Sequence, residues 1–175
     1  MPLYFAYGSN MDLAAMRSRC PASRPVGIAR LPRHRLVIVR EGYASVVRDP
    51  RRTVFGLLWD LALADVPALD RFEAVASRLY VKTSQPVLTD RGPKRALIYV
   101  ATGAAGGPAR PGYVEAVIAA AEAAGLPAAY LKELAALLPP GAGRAAVASE
   151  PAETAPTVKV RPRWASPLQV EPDGL

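Results

Sequence analysis

The residues most able to do chemistry follow the first apolar stretch, where Tyr7 is succeeded by Gly8, Ser9 and Asn10. The alternation before them is typical of a strand, and the pattern after them is typical of a helix. Such a strand-to-helix turn directs free backbone N–H groups and the positive end of the helix dipole at one point. The spacing therefore predicts a site for a carboxylate or phosphate group. The alternative is an ordinary connection in which Asn10 is the helix N-cap.

A pair of carboxylates, Asp70 and Glu73, is the second candidate for chemistry. Both lie in a helical pattern over residues 65–75, and residues three apart on a helix are neighbours on its surface. A carboxyl group in the right surroundings acts as a general acid or base. The alternative is a solvated carboxylate near the helix end that pairs with Arg71 or Arg78.

Nucleophilic and metal chemistry find less support. Ser9 lies at a sharp turn, but its neighbours lack the Gly-x-Ser-x-Gly pattern of a nucleophile elbow. The only histidine, His34, lies between two arginines, which disfavour the cation that a general base becomes. The only cysteine, Cys20, precludes an internal disulfide and a multi-cysteine metal site. We therefore expect no bound metal.

These residues need a scaffold, and the chain shows both strand and helix patterns. Strands are predicted at residues 3–7, 25–29, 36–40, 44–47, 54–61, 79–87 and 95–101. Most are joined by short turns, which favours an antiparallel or mixed sheet closed into a barrel. Helices are predicted at residues 11–19, 65–75, 113–125 and 126–138, the last two as a hairpin. The expected fold class is α+β, a small mixed or antiparallel β-barrel with flanking helices.

Length and composition indicate one domain and a tail. With 175 residues and 51% hydrophobic content, the chain is long enough to bury a full core. Residues 1–138 carry the predicted elements, whereas residues 139–175 are rich in proline and alanine and show little periodicity. Neither a signal region nor a run of about 18 apolar residues is present, so we expect a cytoplasmic protein without membrane contact. The sequence does not indicate the oligomeric state.

The net charge of +7 raises the possibility of a nucleic-acid partner. Residues 1–52 hold ten arginines against three acidic residues and account for this excess. Arg33 and Arg35 are two apart before an apolar run, as on the solvent-facing side of a strand. No aromatic residues interleave with them and no DNA-binding motif is visible. We therefore interpret the arginines as a solvated face and expect no nucleic-acid partner.

Four segments together resemble the gamma-glutamylcyclotransferase family. They are "YFAYGSNM" at residues 4–11, "VFGLLWDL" at 54–61, "LDRFEAVASRLYV" at 69–81 and "PGYVEAVIAAAEAAGLPAAYLKEL" at 111–134. The YGSN loop, the downstream LDxxE glutamate and a tyrosine seven residues after it form a specific combination. The resemblance implies a β-barrel with a cavity at one mouth and an enzyme that needs neither metal nor coenzyme.

The resemblance also implies roles for individual residues. The loop Tyr7–Asn10 matches the family's substrate loop, whose amides hold the carboxylate end of a gamma-glutamyl group, and Glu73 matches the catalytic acid/base. Tyr80 matches a tyrosine that lines the pocket, and Tyr130 resembles a helical tyrosine that reaches the substrate. Ala74 departs from the family, which often has glycine after the glutamate.

The activity that the resemblance implies is release of 5-oxoproline from a small-molecule gamma-glutamyl substrate. The α-amine of the substrate attacks its own γ-carbonyl, so the enzyme has to position the chain and move protons. Two alternatives remain: a cyclotransferase specific for gamma-glutamylamines, and a protein of the same fold that binds a carboxylate ligand without turning it over. Intact Glu73 and the intact YGSN loop count against the second.

Overall fold

A computed structural model describes residues 1–138. The predicted tail, residues 139–175, lies outside the described residues. The strands are β1 (Leu3–Ala6), β2 (Arg24–Ile38), β3 (Ala44–Asp60), β4 (Tyr80–Thr89) and β5 (Gly92–Ala101). The helices are α1 (Leu13–Arg19), α2 (Val66–Phe72), α3 (Tyr113–Ala123) and α4 (Ala128–Ala135). Single 3-10 turns at Ser9–Met11 and Leu63–Asp65 precede α1 and α2.

The five strands form a closed barrel in the order β1-β3-β2-β4-β5. The β1–β5 pair, with Leu3 opposite Ala96, is parallel, and the other pairs are antiparallel. The mixed barrel with flanking helices confirms the predicted fold class. Closure removes free sheet edges and gathers strand ends at one mouth of the barrel.

The strands β2 and β3 are longer than predicted, because each joins two predicted strands into one. The register passes from His34 opposite Arg48 to Pro32 opposite Thr53, so residues 49–52 bulge out of the ladder. On β2, Arg33 lies between the paired residues Pro32 and His34, and its backbone is in the left-handed region with a φ of 59°. The Pro and Asp-Pro signals that predicted turns therefore mark an irregularity inside a continuous ribbon.

The core fills the barrel and extends under the helices. Phe5, Leu58, Trp59 and Ile98 are almost fully buried within it. Gly56 is required at the crossing of β3 and β1, because a Cβ there would lie 2.2 Å from the carbonyl oxygen of Ala6. The close approach of backbones at this point sets where β1 ends and hence where the following loop begins.

The last two helices pack on each other as the predicted hairpin. Gly125, with a φ of 75°, ends α3, and the N–H of Leu126 reaches back to the carbonyl of Ala121 at 3.0 Å. This is the hydrogen-bond pattern of a Schellman motif, which satisfies carbonyls at a helix end. Elsewhere Arg33 and Arg35 are exposed, as predicted for the solvent-facing side of a strand.

Within residues 1–138, no helix combines the length and the apolar character needed to cross a membrane.

Candidate active site

A cavity opens at the barrel mouth where β1, α2 and β5 end and where β3, β4 and α3 begin. Its lining residues are Tyr4, Tyr7, Gly8, Ser9, Asn10, Tyr43, Ala44, Phe72, Glu73, Leu79, Tyr80, Tyr99 and Tyr113. Among these, Glu73 carries the only ionisable group other than the tyrosine hydroxyls. The structure thus brings the predicted loop, the predicted glutamate and Tyr80 into one cavity, although up to 73 residues separate them in the chain.

The loop after β1 is a tight turn in which the N–H of Met11 bonds to the carbonyl of Gly8 at 3.0 Å. The N–H of Ser9 is directed at the hydroxyl of Tyr113, whereas the N–H groups of Gly8 and Asn10 find no acceptor among the described residues. These unpaired donors border the cavity, where a ligand with acceptor oxygens can satisfy them.

The helix cap differs from the prediction. Asp12, and not Asn10, is the N-cap of α1, because its carboxylate accepts hydrogen bonds from Ala14 and Ala15 at 2.8 and 3.1 Å. The N-terminus of α1 therefore already holds an anion of the protein itself. Any attraction of the loop for a ligand carboxylate has to come from the backbone amides of residues 8–10.

The turn after α2 directs Glu73 into the cavity. The helix ends one residue earlier than the glutamate, which is the C-cap. Ala74 follows in the left-handed region with a φ of 51°, and Val75 donates to the carbonyl of Asp70 at 3.0 Å. Glycine usually occupies this position of a Schellman motif, and a residue with a Cβ costs about 1–2 kcal/mol there. Alanine therefore keeps the turn that glycine would form, at the expense of some strain.

The carboxylate of Glu73 accepts a hydrogen bond from Asn10 Nδ2 at 2.7 Å. Burial raises the pKa of Glu73 to about 7, against the lowering effects of nearby Arg19 and of the Asn10 hydrogen bond. A carboxyl group with this pKa exchanges its proton easily at neutral pH, which is what a general acid and base must do.

The salt-bridge alternative for Glu73 is wrong for the described residues. Arg71 and Arg78 are exposed, and neither forms an ion pair with Glu73. Asp70 is close enough for its charge to raise the pKa of Glu73, but it does not share the Asn10 hydrogen bond of that residue. Its carboxylate instead accepts from Tyr99 Oη at 2.6 Å and from Lys82 Nζ at 2.8 Å.

Six tyrosines line the cavity, and five of their hydroxyl groups have a protein partner. Tyr4 accepts from Asn10 at 2.9 Å, Tyr7 donates to the Tyr99 carbonyl, Tyr80 donates to the Ala44 carbonyl at 2.7 Å, Tyr99 donates to Asp70, and Tyr113 accepts from the Ala44 N–H at 3.1 Å. The sixth, Tyr43, has a buried hydroxyl with no partner in the described residues.

Tyr130 lies outside the cavity, although the resemblance implied that it reaches the substrate. Its ring packs against Phe55, with centroids 5.2 Å apart, beside a separate surface depression near Arg52 and Glu133. The helical tyrosine at the cavity is Tyr113, the first residue of α3. The quoted segment 111–134 contains both tyrosines, and only the packing of α3 across the barrel mouth distinguishes them.

Sequence inspection also missed Arg19, which it counted with the solvated arginines. Its guanidinium carbon lies 3.3 Å from the centroid of the Phe72 ring, and it donates to Asn10 Oδ1. No local sequence pattern distinguishes Arg19 from Arg17, which lies two residues earlier on the same helix and is exposed.

The other candidates for chemistry do not reach the cavity. His34 lies on β2, where its Nδ1 contacts the carbonyl of Pro32 at 2.8 Å. Burial raises the pKa of Cys20 to about 11, so this buried thiol is a poor nucleophile. No group of acidic, histidine or cysteine side chains within residues 1–138 could hold a metal ion.

Comparison with known proteins supports the resemblance to the gamma-glutamylcyclotransferases. The model of the AIG2-like family matches residues 53–134. The gamma-glutamylcyclotransferase of Homo sapiens is 29% identical to the chain over 148 residues, which cover 78% of this chain and 79% of the human protein. The gamma-glutamylcyclotransferase of Bos taurus is also 29% identical, over 143 residues that cover 75% of this chain and 76% of the bovine protein. A solved structure of a gamma-glutamyl cyclotransferase superposes with a TM-score of 0.73 at 28% identity and covers 79% of this chain and 88% of that one.

The family-model match of residues 53–134 includes Glu73, Tyr80 and Tyr113. The sequence motifs, the closed barrel and the relatives thus agree in one likeness, which is to the gamma-glutamylcyclotransferases.

Proposed function

We propose that the protein is a gamma-glutamylcyclotransferase that releases 5-oxoproline from a small-molecule gamma-glutamyl amide. The observation that carries the proposal is Glu73, a carboxyl group in the cavity at the barrel mouth with a pKa raised by burial to about 7. The names of the relatives support the same activity.

The loop of residues 8–10 is the proposed site for the α-carboxylate of the substrate. Its N–H groups border the cavity, and those of Gly8 and Asn10 lack acceptors among the described residues. Hydrogen bonds from backbone N–H groups to a carboxylate are stronger than those to neutral acceptors. The hydroxyls of Tyr7 and Tyr80 already donate to carbonyl groups, so their proposed role is to shape the cavity wall. Tyr113, with its hydroxyl hydrogen free, replaces Tyr130 as the proposed helical contact to the substrate.

The reaction needs proton transfers around one intramolecular attack. Glu73 takes a proton from the α-ammonium group, and the resulting amine forms the ring C–N bond at the γ-carbonyl. Glu73 then returns the proton to the departing nitrogen as the original C–N bond breaks. The extra proton on the ring nitrogen passes to the released amine, which leaves as an ammonium ion. Because attack is intramolecular, holding the chain curled supplies much of the rate.

A substrate screen tests this function. Gamma-glutamyl dipeptides, gamma-glutamylamines and glutathione are each incubated with the protein, and 5-oxoproline release is measured. Turnover of dipeptides supports the broad activity, whereas turnover of the amines alone indicates the amine-specific alternative. Saturable binding of these compounds without release of 5-oxoproline would instead indicate a carboxylate-binding protein.

Tyr43→Phe tests whether the unpartnered hydroxyl contacts the substrate. We expect KM to rise by about 5–30-fold, the effect of one lost hydrogen bond of about 1–2 kcal/mol. Thermal stability should stay the same or increase, because the variant removes a buried hydroxyl that has no partner in the described residues. An unchanged KM would show that this hydroxyl does not touch the substrate.

The activity should depend on pH through Glu73. Its carboxyl must be ionised to accept a proton, so kcat/KM should rise with pH and reach half of its limiting value near pH 7. Steady-state rates between pH 5 and 9 measure this rise, which should be the same for two substrates with different leaving amines. A rate that stays constant between pH 5.5 and 7.5 would exclude a group with this pKa as the base.

The remaining sequence expectations form part of the same proposal. Residues 1–138 would be the gamma-glutamylcyclotransferase-like domain, residues 139–175 a tail, and the enzyme would act in the cytoplasm without a nucleic-acid partner.

A further inference from the structure

Arg19 is a half-buried charged side chain that contacts Asn10 of the cavity wall. It is the last residue of α1, and its guanidinium stacks on the ring of Phe72, with Cζ of Arg19 3.3 Å from the ring centroid. No carboxylate forms an ion pair with it within residues 1–138. Its hydrogen bond to Asn10 Oδ1 is therefore its main polar contact with the site.

This contact determines which way the Asn10 amide faces. An arginine side chain has only donors, so the amide must present its oxygen to Arg19. The amide nitrogen then faces the other way and donates to Glu73 Oε1 at 2.7 Å and to Tyr4 Oη at 2.9 Å. Without Arg19, the amide is free to turn over and present its oxygen to Glu73, which favours a protonated carboxyl group.

The charge of Arg19 acts in the same direction as this geometry. A cation close to a carboxylate favours the ionised form, and Arg19 lowers the pKa of Glu73 against the effect of burial. The cation–π stack on Phe72 holds the guanidinium in place. Because Phe72 immediately precedes Glu73 at the end of α2, this stack keeps the cation near the Glu73 carboxylate.

We propose that Arg19 is a positioning residue that acts through Asn10: it fixes the amide so that a donor faces Glu73 and so keeps this carboxylate ready to accept a proton. The expected effect of Arg19 on the rate of turnover rests on the proposed function. Its expected effect on the titration of the Glu73 carboxyl group does not depend on that function.

The test compares Arg19→Met with Arg17→Met, a matched change at an exposed position of the same helix. The titration of the Glu73 carboxyl, followed by ¹³C NMR and assigned with Glu73→Gln, needs no substrate. In Arg19→Met we expect its midpoint to rise by about one pH unit or more. The rising limb of kcat/KM should move by the same amount, and kcat at pH 7 should fall about fivefold or more and partly recover at pH 8.5. Arg17→Met should change none of these.

Two further variants separate positioning from folding. Arg19→Lys retains the charge and a donor, so it should restore part of the shift even if Arg19→Met is poorly folded. In an Asn10→Ala background, Arg19→Met should lower kcat by less than about twofold further, because both changes break the same connection. An unchanged Glu73 titration in the folded Arg19 variants would overturn the inference. Absence of 5-oxoproline release by the wild-type protein would instead overturn the proposed function and leave the titration result standing.

Discussion

Replacement of Glu73 by glutamine is expected to lower kcat by about 10²–10⁴-fold, the range that general acid–base catalysis usually supplies. Glutamine keeps the side-chain volume and can still accept the hydrogen bond from Asn10, but it cannot take a proton at neutral pH. Substrate affinity should therefore stay close to that of the wild-type protein. Steady-state release of 5-oxoproline, on the substrate that the screen identifies, measures the effect.

Stability separates this loss of rate from a loss of fold. Because burial raises the pKa of Glu73, the folded state favours the protonated carboxyl, and its contribution to stability is lost as the pH rises through about 7. Glu73→Gln should then melt no lower than the wild-type protein at pH 8. Glu122→Gln, the same change at an exposed site on α3, should leave both rate and stability unchanged. A rate for Glu73→Gln within a few-fold of the wild-type value would contradict the assignment of the acid/base.

Gly8→Val should reduce kcat/KM by about 100-fold or more, mainly through a higher KM. A Cβ at this position would lie 3.0 Å from the hydroxyl of Tyr113 and 3.7 Å from Cβ of Ala44, and valine adds two methyl groups beyond it. The loop then has to move away from the cavity, and its amides no longer point at the substrate carboxylate. Loss of one or two hydrogen bonds to a charged group, each about 1.5–3 kcal/mol, accounts for this effect.

A smaller substitution shows whether space is the cause. Gly8→Ala adds only the Cβ, so its KM should fall between those of the wild-type protein and Gly8→Val, while circular dichroism and thermal melting report the fold. A lowered melting temperature with an unchanged KM in both variants would mean that residues 8–10 are an ordinary strand-to-helix connection.

The YGSN loop and the LDxxE glutamate are recognisable in the chain itself because each is a contiguous motif with its own local chemistry. The turn residues and hydrophobic periods likewise predict the elements, since these depend on side chains a few positions apart. The same local signals divided β2 and β3 into shorter strands. Pro32 and the Asp49-Pro50 pair look like turns in the chain and become a bulge only when two long strands pair across them.

The relations between the motifs depend on contacts that no local pattern encodes. Asn10 and Glu73 are 63 residues apart and meet only because the closed barrel brings the end of β1 beside the end of α2. The raised pKa of Glu73 follows from burial in that arrangement. Arg19 resembles its exposed neighbours until α1 packs on Phe72.

The choice between Tyr113 and Tyr130 is of the same kind, because two helices with similar patterns can each present a tyrosine to the barrel. By itself, the sequence determined the resemblance to the gamma-glutamylcyclotransferases, the class of fold and the candidate residues for chemistry, all of which depend on residue type and short spacing. The tertiary structure alone decided which donors face Glu73, which tyrosines meet the cavity and how strongly the carboxylate is desolvated, because these depend on long-range packing.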